Sequence, residues 1–141
     1  MNHNYELNLN DHYGVAGFEE MADSLATRDV PQWTVRYVLQ GIVTARADKP
    51  VTARKLVDDV YSKYNTRISD ATVRKIVSEC RADKRWPIAS GPTGYYLALK
   101  AEQLDGTIEH LTRRINREVV VVQELKEVQR TMRQREIGRA S

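Results

Sequence analysis

The apolar positions of this chain follow a helical rhythm over most of its length and switch to a shorter alternation once. Between residues 31 and 83, three stretches carry the i, i+3, i+4, i+7 spacing that lines one face of an α-helix. In the first, Val35, Val38, Leu39 and Ile42 make the face. Asp29 is placed to cap this helix, Pro31 suits a first turn that lacks intrahelical N–H partners, and the helix ends before Pro50. In the second, Thr52 is the expected cap, with Leu56, Val57, Val60 and Tyr64 turned inward and Arg54, Lys55 and Lys63 outward. Residues 64–68 read as a turn. Ser69 caps the third helix, whose core face is Val73, Ile76, Val77 and Cys80.

The rhythm then breaks. Trp86-Pro-Ile-Ala-Ser90 and Tyr95-Tyr-Leu-Ala-Leu99 flank Gly91-Pro-Thr-Gly94, which predicts two short strands around a turn. Gly91 and Gly94 are both expected to supply positive φ, and Pro87 makes the first strand an edge strand or displaces its start.

The flanks differ from this centre and from each other. Residues 1–29 are rich in Asn, Asp and Glu and read as a mostly disordered leader. Within it Phe18, Met21 and Leu25 predict a short helix over 17–27, which either packs on the domain or serves as a recognition segment for another protein. Residues 30–99 form the domain. Residues 100–141 contain no proline and predict one long amphipathic helix. Its seam runs Leu104, Ile108, Leu111, Ile115, Val122, Leu125 and Met132 in a 4-3 alternation, broken at Glu118 and Gln129 and broadened by the run Val119–Val122. Such a seam needs a partner, and a second copy of the chain, giving a homo-oligomer, is the expected one.

Composition narrows the function classes. Hydrophobic residues make up 41% and charged residues 29%, and no apolar run approaches the roughly 20 residues that span a bilayer. No membrane partner is expected. Met1 is followed by a polar, acidic stretch instead of a basic and then apolar secretory start, and Cys80 is the single cysteine. A reducing cytoplasm fits both. No Cys/His cluster has metal-ligand spacing, and no triad, phosphate-cradling glycine loop or paired-carboxylate motif is present, so no metal, cofactor or catalysis is expected. Residues 1–30 hold six acids and one base, leaving 21 bases against 13 acids in the remainder. A basic body of this kind suits a polyanion such as nucleic acid.

The order of three helices and a hairpin, with the strings Ser69-Asp-Ala-Thr-Val-Arg-Lys-Ile76 and Trp86-Pro-Ile-Ala-Ser-Gly-Pro-Thr-Gly-Tyr-Tyr-Leu-Ala98, resembles a known family. It is similar to the winged helix-turn-helix domain at the N-terminus of biotin repressors. The similarity is greater to small bacteriophage winged-helix proteins that act in transcription control or replication. The resemblance covers about half the chain, and no biotin-ligase domain follows. It implies a mainly α fold with a small β-hairpin, a winged helix-turn-helix followed by a long helix, and double-stranded DNA as partner.

The residue chemistry gives that partner a surface. Ala71, Arg74, Lys75 and Ser78 lie opposite the core face of the third helix, with Ser69 and Thr72 near its start. Arg and Lys reach guanine edges or phosphates, Ser and Thr bond either, and a small Ala lets a helix approach the groove floor. Arg54, Lys55 and Arg67 lie on or beside the neighbouring elements. The wing tip has no base, so Ser90 and Thr93 are its expected phosphate contacts. Cys80, Trp86 and Trp33 are expected to be core or domain-edge residues. The rival expectation is an adaptor whose winged helix and long helix bind other proteins, because winged helices also serve in that role.

Overall fold

A computed structural model describes residues 15–140. The first described helix, α1 (Phe18–Leu25), places Phe18 and Met21 at the i, i+3 spacing, and Phe18, Met21 and Ala22 are buried. Helix α2 (Gln32–Val43) turns Val35, Val38, Leu39 and Ile42 inward as their spacing requires. In α3 (Ala53–Tyr64), Leu56 and Val60 are buried, and the Thr52 side chain accepts from the Lys55 N–H. Asn65 ends α3 in the left-handed conformation (φ 52°) that Asn tolerates better than most residues. The turn leads to α4 (Asp70–Asp83), where Ser69 accepts from the Thr72 N–H and Val73, Ile76, Val77 and Cys80 are buried. The fold is mainly α with one small antiparallel hairpin, β1 (Ile88–Gly91) and β2 (Gly94–Leu97). A 3-10 turn (Ala101–Leu104) then precedes the long helix α5 (Asp105–Ala140). The chain divides into two compact units, one ending at Gly106 and one beginning at Thr107.

One continuous core fills the first unit. It joins Phe18 and Met21 of α1, Leu39 and Ile42 of α2, Leu56 of α3, Ile76 and Cys80 of α4, and Ile88 and Leu97 of the hairpin. Trp86 holds α1 in this core. Its ring stacks on Phe18 at 6.3 Å between centroids, and its Nε1 donates to the Ala16 carbonyl at 2.9 Å. The short-helix expectation for 17–27 is thus met by an element packed on the domain. The use of that segment to recognise another protein gains no support, since Phe18 and Met21 are already covered. Residues 15–25 belong to the core despite the leader-like composition around them. The part of the leader expectation that falls on residues 1–14 lies outside the described residues.

Several boundaries differ from expectation for local reasons. Pro31, with extended φ and ψ, is the cap residue of α2 in place of Asp29. A tight turn closed by Thr27 N–H to Val30 O and by Val30 N–H to the Thr27 hydroxyl has already engaged this stretch. The strands are shorter than the apolar runs. Pro87 has no N–H for a ladder, so β1 starts at Ile88, and the Leu99 N–H is taken by the Gln103 side chain at 2.7 Å. The same Gln103 oxygen accepts from the Lys100 N–H, which caps the 3-10 turn that stands where the long helix was expected to begin.

Only Gly94 of the two turn glycines has positive φ, at 125°. A Cβ there would lie 2.3 Å from the Val51 carbonyl oxygen, so glycine is required by close approach as well as by dihedral. That approach marks an unexpected feature. Val51 and Tyr95 exchange backbone hydrogen bonds of 2.9 and 2.7 Å, and the Leu97 N–H donates to the Ala45 carbonyl at 3.0 Å. The segment between α2 and α3 therefore runs along β2 as a third, strand-like strip.

Candidate nucleic-acid interface

The candidate site is built on α4. Its buried face is fixed by the core, so the opposite face must look outward, and Ala71, Arg74, Lys75 and Ser78 are all exposed there. These four repeat the i, i+3, i+4, i+7 spacing and form one stripe. Neither Arg74 nor Lys75 has an ion-pair partner among the described residues. Ser69 and Thr72 are less available. The Ser69 hydroxyl caps the helix at 3.2 Å and lies 3.2 Å from the Thr72 hydroxyl.

The other expected bases are engaged locally. Arg54 pairs with Asp58 at 3.6 Å and Lys55 with Asp59 at 3.0 Å, each one turn along α3. Exposed pairs of this kind are worth at most about 1 kcal/mol, so they do not lock either cation, but they offset its field. Asp59 also accepts from the Tyr37 hydroxyl at 3.0 Å. Partial burial acts to raise the Asp59 pKa, and the donations from Lys55 and Tyr37 outweigh it, so the carboxyl lies below its ordinary value. Burial, and then the hydrogen bond to Asp59, raises the Tyr37 phenol. Arg67, in the turn, lays its guanidinium over the Tyr61 ring at 4.3 Å, a cation–π contact that holds it against the last turn of α3.

The hairpin is tied to the stripe by Arg81, which the sequence reading passed over. It occupies the next position of the spacing after Ser78. Its Nε donates to the Ile88 carbonyl at 3.0 Å and its guanidinium to the Ser90 hydroxyl at 3.2 Å. Ser90 is thereby a structural link between α4 and β1, which reduces its availability to phosphate. Thr93 is exposed at the hairpin tip. Extending the Ala71–Ser78 stripe by one step would have drawn attention to Arg81.

Aromatic residues assemble at a second place. Trp33 and Tyr64 lie 4.5 Å apart between centroids, Tyr37 meets Tyr64 edge-on at 5.9 Å, and Lys63 stands 4.9 Å over the Tyr37 ring. Tyr64, expected on the buried side of α3, is 40% exposed at the domain edge, in contact with the Trp33 and Tyr37 rings. Trp33 is a domain-edge residue and Trp86 a core one. Cys80 is buried on the core face of α4, and burial pushes its thiol up to about 12, which leaves it protonated and unreactive at neutral pH. Among the described residues no group of three or more His, Cys, Asp or Glu could hold a metal, and no helix is long and apolar enough to cross a membrane.

On α5, Ile108, Ile115, Val122, Leu125 and Met132 are 48% to 62% exposed, while Leu104, in the turn before it, and Leu111 are half-buried. Around a straight helix the expected 4-3 seam drifts by about 20° per heptad, as any seven-residue repeat does. Ile108, Leu111, Ile115, Val119 and Val122 form one stripe, and Val121, Leu125, Val128 and Met132 form another, about 110° around the helix. The run Val119–Val122 is where one stripe gives way to the other.

Comparison with protein-family models, curated proteins and solved structures returned no match.

Proposed function

We propose that the chain is a DNA-binding protein of the winged helix-turn-helix type, acting as a transcription regulator or a replication-organising protein, and joined to a second copy through α5. The observation that carries this reading is the outward stripe Ala71, Arg74, Lys75 and Ser78, which presents two unpaired bases, a hydroxyl and a small residue on one helix face. Those are the side-chain types that reach base edges and phosphates in a major groove. Three further features support it. The α3–turn–α4 pair precedes a hairpin that Arg81 ties to α4, the turn leading into α4 carries Arg67, and residues 31–99 hold 12 bases against six acids. The chemistry of this face serves a regulator and a replication factor alike.

The test is fluorescence anisotropy with random-sequence duplex DNA at low and moderate salt. Binding should weaken steeply as salt rises, because neutralised phosphates release counterions. Arg74→Ala with Lys75→Ala should abolish most of that affinity and leave thermal stability nearly unchanged, since both side chains point away from the core. A contacting Arg contributes about 1 to 3 kcal/mol of base discrimination, and loss of a phosphate-contacting Lys lowers the salt slope by about one unit. Wild-type affinity in the double variant would refute the assignment of the stripe.

A second reading, a protein-binding adaptor, is favoured by the exposed Trp33–Tyr64 pair, because exposed aromatics in contact are enriched at protein interfaces. Absence of DNA binding at micromolar protein would support the adaptor over the first reading.

A further inference from the structure

The second half of α5 carries a pattern more specific than an apolar stripe. Glu118, Val121, Leu125, Val128, Met132 and Arg135 are spaced 3, 4, 3, 4, 3 on one uninterrupted helix, the alternation of a two-helix seam. The four apolar members are 45% to 61% exposed. Glu118 and Arg135 close the seam at its two ends, and both are exposed with no ion-pair partner among the described residues. The spacing reads the same from either end, but the charge does not.

We propose that this half of α5 pairs antiparallel with the same segment of a second copy of the chain. Reversing one helix brings Leu125 opposite the other copy's Val128, Val121 opposite its Met132, and Glu118 opposite its Arg135. Each apolar residue then meets an apolar residue, and the two ends of the seam are closed by two equivalent Glu–Arg pairs related by the twofold axis. Parallel, in-register pairing instead sets Glu118 against Glu118 and Arg135 against Arg135, like charges that disfavour it. The pairing also explains why apolar positions change face near Val119–Val122. The first stripe, from Ile108 to Val122, is not part of this contact. On the face that the first stripe would continue, the second half carries Lys126, Arg130 and Arg133. With only about two and a half heptads in contact the dimer is expected to be weak.

This inference specifies the self-pairing named above and is independent of DNA binding, and its test uses no DNA. The full-length chain should sediment as a dimer at about 100 µM. Val121→Cys and Met132→Cys variants, each alone, should resist disulfide formation on mild oxidation. In an antiparallel pair, equal positions lie about 16 Å apart along the axis. A mixture of the two should cross-link as a heterodimer, and the buried Cys80 should not compete. Glu118→Arg should weaken association at least about tenfold, and adding Arg135→Glu should restore it. Efficient cross-linking of Val121→Cys with itself would overturn the antiparallel arrangement. A wild-type chain that stays monomeric at about 100 µM would overturn the pairing altogether. Either result would leave the DNA titration to be judged by itself.

Discussion

Helices α4 and α5 carry apolar residues at the same helical spacings and use them in opposite ways. In α4, Val73, Ile76, Val77 and Cys80 are buried against the domain, and the polar stripe behind them is what the helix offers to solvent. In α5 the apolar residues are themselves the offered surface, exposed from Ile115 to Ile137. Amphipathic spacing therefore identifies a helix and its faces in both regions, but not which face meets a partner. That is decided by whether the surrounding chain supplies a core.

The sharpest way to break this comparison is to remove an equivalent side chain from each helix. Ile76→Ala should lower unfolding free energy by about 2 to 5 kcal/mol, the range for truncating a buried aliphatic residue, as measured by urea titration. Leu125→Ala should leave the unfolding free energy of the first unit within about 0.5 kcal/mol of wild type and act on association instead. If Leu125→Ala destabilises as much as Ile76→Ala, α5 shares the core of the first unit and the contrast is wrong.

A smaller effect tests how firmly the hairpin belongs to that core. Gly94→Ala introduces a Cβ against the Val51 backbone and a side chain at φ 125°, which should cost about 1 to 3 kcal/mol. Tyr95 and Val51 amide protons should lose hydrogen-exchange protection first, while α5 amides remain unchanged. Unaltered protection at Val51 would show that the strip between α2 and α3 holds without the hairpin.

The smallest expected effect lies at the exposed edge. Tyr37→Phe removes one donor to Asp59 and should cost about 0.5 to 1.5 kcal/mol. The Asp59 pKa is lowered in the folded state. Its contribution to stability is therefore present above the unfolded-state pKa and is lost as pH falls through the folded one. In Tyr37→Phe that acid-side loss should shrink, because one of the groups holding the carboxylate ionised is gone. Identical acid-side slopes in variant and wild type would remove the Tyr37–Asp59 bond from the stability of this edge.

What the chain determined by itself was local: the inward faces of α2, α3 and α4, the caps at Thr52 and Ser69, the turn after Tyr64, and a hairpin between Pro87 and Leu99. Each depends on residues within a turn or two of one another, so spacing and cap chemistry suffice to identify it. The bases of the α4 stripe were legible for the same reason, since a helix with a known inner face has a known outer one. Tertiary structure decided the rest. The Val51–Tyr95 bridge, the bond from Trp86 to the Ala16 carbonyl 70 residues away, and the Arg81 tie to Ser90 join segments whose meeting leaves no trace in local periodicity. The fate of the 15–25 segment was of this kind too. The spacing of Phe18, Met21 and Leu25 predicted a short helix there with two possible uses, and burial of Phe18 and Met21 beside Trp86 decides for packing on the domain, because only the assembled domain has an apolar surface for it to cover.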